Sequence, residues 1–254
     1  MRRRRLRRRA LVTQLILRAA APAAIIDPRF PNVDAMNPVF VTGSTGYLGL
    51  PLIKVLLARS FAVHALVRPQ SAQRLPRGAL PVMGDALDAA SFASKIPAAA
   101  TLVHLVGTPH PNPFKAGEFR RVDLASIQAS VAAAQQAGVL HFIYLSVAHP
   151  APVMQAYIAV RREGEALVQA SGIPATILRP WYVLGPGHWW TYVSLPFYKL
   201  LEWIPATREV ALRLGMVTLE EMVAAMVNAV ETSPEKVRIM NVGDIRRRRS
   251  ASYL

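Results

Sequence analysis

Short apolar runs alternate along this chain with longer stretches whose apolar residues recur at helical spacing. The first run, Pro38-Val39-Phe40-Val41, is rich in β-branched and aromatic residues, as a strand buried on both faces requires. The residues from Leu50 to Arg59 suit the inner face of a helix. Further strands are expected over 61–68, 80–85, 101–107, 141–147 and 175–180. Helices are expected over 116–137, stopped by Gly138, and over approximately 151–170, stopped by Ser171-Gly172. A late helix over 217–227 has Thr218 as its N-cap, and 238–242 reads as a last strand. Strands alternating with helices in this order predict an α/β protein with a doubly wound parallel sheet and right-handed crossovers.

The join between the first strand and first helix carries chemistry. Gly43, Gly46 and Gly49 fall in the sequence Thr42-Gly43-Ser44-Thr45-Gly46-Tyr47-Leu48-Gly49. In a strand–turn–helix setting, Gly43 permits the tight turn and Gly46 lets a pyrophosphate approach the backbone. Gly49 lets helix and strand pack closely. The free N–H groups and positive dipole end of the helix then face the phosphates. A dinucleotide cofactor held by residues 43–49 in a Rossmann-like fold is the expectation.

Arg68 ends the second strand, where an acidic residue would bind a free ribose 2′-hydroxyl. An arginine there suits a 2′-phosphate, so NADP is preferred, with NAD as the alternative. Asp85, at the end of the third strand, is a candidate acceptor for the adenine amino group, with capping of the following turn as the competing role. Gly107 ends the fourth strand where the chain would pass close to a cofactor ribose, and His104 reads as a core histidine. The loop Pro109–Pro113 carries His110 and Asn112 beside the expected cleft and is a candidate substrate entrance.

Composition narrows the picture. The 254 residues are 52% hydrophobic, which excludes a disordered chain. With no cysteine there are no disulfides, thiolate catalysis or cysteine-ligated metals, and no metal ligands are assigned. The formal charge of +15 lies mostly in the ends: +7 in residues 1–35 and +4 in Arg246–Arg249, leaving +4 for 36–245. A core built to bind nucleic acid is not supported, although such tails attract polyanions weakly.

These motifs resemble the short-chain dehydrogenase/reductase superfamily, and within it the atypical branch of NAD(P)-binding, epimerase-like proteins that includes NmrA-like regulators and the 39 kDa-type subunit of respiratory complex I. The resemblance spans roughly residues 38–243. It rests on the glycine motif, Gly84-Asp85, the Ser146 strand, Tyr157 with its helix, and Leu178-Arg179-Pro180 followed by Gly185-Pro186-Gly187. It implies that Ser146 orients a substrate oxygen and that Tyr157 exchanges the proton. The family's lysine, which lowers the tyrosine pKa and holds the nicotinamide ribose, is here Arg161. Arginine keeps a charge near Tyr157 one helical turn away. It cannot copy the compact ammonium contact or relay a proton.

The domain expectation is a basic arm over 1–35, a cofactor domain over 36–185, a small C-terminal cap or lid over 186–245 and a basic tail over 246–254. The arm has an arginine-rich head and an apolar middle cut by Arg18. A secretory signal, a transit peptide and an anionic-surface anchor are its candidate readings. The preferred reading takes Met36 as the natural start. The stretch from Trp181 to Pro205 is dense in aromatics and suits lid packing, a flat apolar substrate, a membrane surface or a dimer contact. The leading expectation is hydride transfer to or from a small apolar carbonyl or alcohol. Its rival is a non-catalytic NAD(P)H-binding sensor or structural subunit. A sugar-nucleotide epimerase is disfavoured by the about sixty residues between Gly185 and the final arginine run. The expected location is cytoplasmic, with peripheral membrane contact through the aromatic stretch or basic arm as an alternative.

Overall fold

A computed structural model describes residues 37–185 and 213–247. The basic arm 1–35, the aromatic stretch from 186 to 205 and the end of the basic tail lie outside the described residues.

Seven parallel strands form the central sheet in the order β3-β2-β1-β4-β5-β6-β9. They are β1 (Val39–Thr42), β2 (Val63–Val67), β3 (Leu80–Met83), β4 (Thr101–His104), β5 (His141–Leu145), β6 (Ala175–Arg179) and β9 (Val237–Asn241). A separate parallel pair joins β7 (Tyr182–Leu184) to β8 (Met216–Thr218). The chain runs outward from β1 to β3, then returns to β4 on the other side of β1. That reversal opens a crevice beyond the carboxyl ends of β1 and β4, where α/β proteins of this topology bind ligands.

Alternation within each strand feeds two cores. In β1, Val39 and Val41 pack on one face while Phe40 packs on the other. Ile143 in β5 faces the first core, and its neighbours Phe142 and Tyr144 face the second. Helices α1 (Gly49–Ala58) and α4 (Leu219–Glu231) cover the first face, burying Leu52, Ile53, Met222 and Met226. Helices α2 (Ala125–Ala137) and α3 (Gln155–Ala170) cover the second through residues such as Ile127, Val131, Val160 and Val168. A short helix α5 (Val242–Arg247) follows β9.

Two expectations change in detail. The single helix foreseen over 116–137 is segmented: a turn at Ala116–Glu118, a π-helical stretch over Phe119–Leu124, and then α2. The extra residue per turn puts Phe119, Asp123 and Leu124 all on the buried side. The late helix and last strand, grouped with the lid by sequence, join the main architecture. Strand β9 pairs with β6 from Ala175↔Val237 to Arg179↔Asn241, and α4 packs on α1. The other expected elements form, although β4 stops at His104, α3 starts at Gln155, and Val217 lies in β8, a strand the sequence did not announce, ahead of α4. Gly138 ends α2 in the left-handed conformation at φ 65°, as a helix-stopping glycine does.

Candidate active site

The glycine turn is built by close approach. Gly43 has φ +69°, and a Cβ there would lie 2.7 Å from the carbonyl carbon of Leu105. Only glycine fits both the turn and the neighbouring strand end. A Cβ on Gly49 would collide with the Gly43 carbonyl, so helix α1 starts directly against the turn. Gly46 differs: a Cβ would meet only the Gly43 oxygen, at 3.1 Å, and otherwise point into open space. Leu48, the N-cap of α1, brings no capping side chain, and no acidic residue stands in the first turn. The helix start therefore carries the uncompensated positive end suited to phosphate.

A cleft of about 340 Å³ opens beside this turn. Gly43, Ser44, Thr45, Arg68, Asp85 and Gly107 all line it, so the topology brings six of the ten expected cofactor residues to one place. Gly46, Leu48 and Gly49 shape the turn and helix start, while Tyr47 reaches the adjoining cavity. The hydroxyl of Ser44 donates to the Leu66 carbonyl at 2.6 Å, tying the turn to β2. One carboxylate oxygen of Asp85 accepts from the Leu87 amide at 3.0 Å, the turn-capping role set against adenine binding. Arg68 is exposed at the cleft's edge.

Arg74 escaped the sequence reading because it lay in a segment read as a connection. That segment forms a 3₁₀ helix over Pro69–Arg74, and Arg74 donates to the Thr45 carbonyl at 3.1 Å. Arg68 thus lines the cleft, and Arg74 braces the glycine turn beside it.

The second cavity, about 770 Å³, is walled by Val147, Met154, Trp181 and Tyr182 with the proline loop opposite. Tyr157 stands in this wall, and Pro109 borders both spaces. His110 and Asn112 line it too. The Asn112 side chain also caps the next turn by accepting from the Phe114 amide at 3.0 Å.

The three residues given catalytic roles do not share one environment. Arg161 is 3% exposed and is held from three sides. It donates to Asp123 at 2.6 Å and to the Leu145 carbonyl at 3.0 Å, and its guanidinium lies over the Tyr157 ring at 5.1 Å. Asp123 also accepts the Thr108 amide at 3.0 Å and the Thr108 hydroxyl at 2.6 Å. Burial works against the charge on Arg161, but Tyr157, Tyr144 and Asp123 outweigh it, and the guanidinium stays protonated. Burial pushes the nearby Tyr144 hydroxyl up to about 12, so it stays neutral. A Cβ on Gly107 would collide with the Arg161 guanidinium. The missing side chain at Gly107 thus makes room for Arg161 as well as opening the cleft.

Ser146 is buried and donates its hydroxyl proton to Glu165 at 2.5 Å. Glu165 is gripped by Arg179 at 2.9 and 2.5 Å, with His149 3.5 Å away. Burial raises the Glu165 pKa, but the hydrogen bonds from Arg179 and Ser146 outweigh it and hold the carboxyl below its usual range. Ser146 and Arg161 are absent from the cavity lining, whereas Tyr157 and Val147 are part of it. His104, the expected core histidine, is fully buried between Thr42 and Ser130 at 3.0 and 2.9 Å.

This architecture has known counterparts. Residues 43–186 match the family model described as NAD(P)H-binding. The ceramide reductase of Caulobacter vibrioides is 26% identical over 216 residues, covering 84% of this chain and 67% of that protein. A 4-hydroxy-2-methyl-3-oxo-4-farnesyl-3,4-dihydroquinoline-1-oxide ketoreductase of Stigmatella aurantiaca is 28% identical over 168 residues. That match covers 58% of this chain and 50% of the relative, so the chain spans between half and two thirds of these two proteins. Among solved structures, the Bordetella bronchiseptica enzyme WbmH, in complex with NAD⁺, superposes with a TM-score of 0.59 at 19% identity, over 81% of this chain and 75% of that one. At that identity the likeness speaks for the fold. With its glycine turn, parallel sheet and cleft at the switch point, the chain belongs to the NAD(P)H-binding family of atypical short-chain dehydrogenase/reductase proteins.

Proposed function

We propose that the chain is an NADPH-dependent reductase acting on a carbonyl compound with an extended apolar body. The observation that carries this reading is the position of Tyr157, in the wall of a large, mainly apolar cavity that meets the cofactor cleft at Pro109. The residues present fit a dinucleotide: an open backbone at Gly46, an uncapped helix start, Arg68 in the cleft lining and Arg74 bracing the glycine turn. Residues 43–49 would hold the pyrophosphate, and Arg68 with Arg74 would favour a 2′-phosphate. The bound cofactor supplies the hydride.

Tyr157 donates the proton that the reduced oxygen needs, its ring held against the Arg161 guanidinium. The two terminal nitrogens of Arg161 are held by the Leu145 carbonyl and Asp123, which fixes the guanidinium over the Tyr157 ring. Ser146 donates its hydroxyl to Glu165 and sits behind the cavity wall next to Val147, so it supports the wall rather than touching substrate. The two relatives named for ceramide and for a farnesyl-bearing ketone support an apolar substrate of some length.

A second reading, a non-catalytic NAD(P)H-binding protein, is favoured by one feature: Ser146 and Arg161 are both engaged by internal carboxylates away from the cavity. The deciding experiment screens long-chain ketones with NADPH against the protein and its Tyr157→Phe variant. The reductase reading expects kcat to fall about 10²–10⁴-fold. Turnover absent in both proteins favours the binding protein, and equal turnover in both removes Tyr157 from the proton transfer. Fluorescence titration with NADPH and NADH tests the cofactor preference. Equal affinities would overturn it.

A further inference from the structure

Phe114 is 97% exposed, the most exposed of the large hydrophobic residues described. It sits at the tip of the loop that walls the apolar cavity, one turn beyond Pro109–Asn112, but is not itself part of the lining. Nothing local needs an aromatic ring there: the turn is already set by Pro113 and by the Asn112 cap. Across the cavity mouth, Val153 is 53% exposed, just before the wall residue Met154. Both loops leave carboxyl ends of strands, so the two apolar tips project from the same end of the sheet as the cavity.

Exposed Arg120 and Arg121 lie on the next turns after Phe114, with Arg120 3.9 Å from Glu163. An aromatic tip followed by two exposed arginines complements an anionic lipid surface. We propose that the Phe114 loop is a membrane-docking element that seats the cavity mouth on anionic lipid, where an apolar substrate is taken directly from the bilayer. The proposal rests on the apolar-substrate reading for its purpose, but vesicle binding is measured without turnover. Failure of one therefore does not imitate failure of the other.

The absence of cysteine gives a direct test. Phe114→Cys in the full chain, labelled with a nitrobenzoxadiazole probe, is mixed with phosphatidylcholine vesicles with or without phosphatidylglycerol. Leu140→Cys is the control, since Leu140 is 51% exposed but precedes β5, at the opposite end of the sheet. The label at 114 should brighten at least about twofold and shift to the blue with the anionic vesicles, while the label at 140 stays unchanged. In co-sedimentation at raised salt, where the arginine-rich ends are screened, Phe114→Ser should weaken partitioning about fivefold or more. An unresponsive label at 114, or equal responses at both positions, overturns the proposal. So does a concentration-dependent response at 114 without vesicles, which would assign the face to a second copy of the chain.

Discussion

Arg161 shows what a buried guanidinium requires of its surroundings. A lysine's ammonium is a compact point charge, but a guanidinium needs flat space and several acceptors. Asp123 and the Leu145 carbonyl supply the acceptors, and Gly107 supplies the space. The two positions should therefore be coupled. Gly107→Ala pushes a methyl against a pinned guanidinium and should cost about 1–3 kcal/mol. In an Arg161→Lys background most of that cost should disappear, giving a coupling of about 1 kcal/mol or more in a denaturant-unfolding cycle. Additive effects would mean that the glycine serves only the cleft. Arg161 itself was visible in the sequence; its partner was not. Nothing in a single chain says that Asp123, on a stretch read as plain helix, will turn inward to meet it.

The elements were legible wherever local chemistry and periodicity agreed, and obscure where tertiary partners decided. Thr218 could be read as an N-cap, and it forms a reciprocal capping box with Glu221: Thr218 Oγ1 accepts the Glu221 amide at 3.1 Å, and Glu221 accepts the Thr218 amide at 2.8 Å. Thr218→Ala should cost about 1 kcal/mol, read as a lower denaturant midpoint with an unchanged slope. The π-helical stretch was illegible because its driving contacts, Asp123 to Thr108 and Arg161, join residues far apart in sequence. Strands β4 and β5 carry two buried histidines that also depend on neighbours. Burial, helped by the charge on Arg161, lowers His104 to about 3, and burial with the charge on Arg238 lowers His141 to about 4. Unfolding returns each ring to its ordinary value near 6.5, so acid favours the unfolded chain. Their contribution to stability is intact above about 6.5 and is lost as the pH falls toward 3–4, at on the order of 1 kcal/mol per pH unit for each ring. His141→Gln keeps a partner for Thr176 and should make the pH dependence of unfolding shallower over that window. An unchanged slope would show that His141 does not titrate on unfolding.

At the scale of the whole molecule, two cores meet at one sheet, and the cofactor cleft lies where the strand order reverses between them. That placement follows from the order of strands and helices, and the glycine turn after β1 marks it in the sequence. The bracing of its glycine turn by Arg74 was not legible, because Arg74 reaches the Thr45 carbonyl only through the 3₁₀ helix. A ligand that bridges the β1 and β2 turns binds the folded chain alone, and so must stabilise it by mass action. At a hundred times its dissociation constant NADPH should add about 2.7 kcal/mol, or about 5–10 °C in Tm for a chain of this size. If Arg68 and Arg74 recognise a 2′-phosphate, NADH at the same concentration should give a smaller shift. Arg68→Ala with Arg74→Ala should bring the two cofactors together by weakening NADPH while leaving NADH nearly unchanged. Equal shifts in the unaltered protein would remove the preference. Equal losses for both cofactors in the double variant would instead assign the arginines to the pyrophosphate and the turn that cradles it.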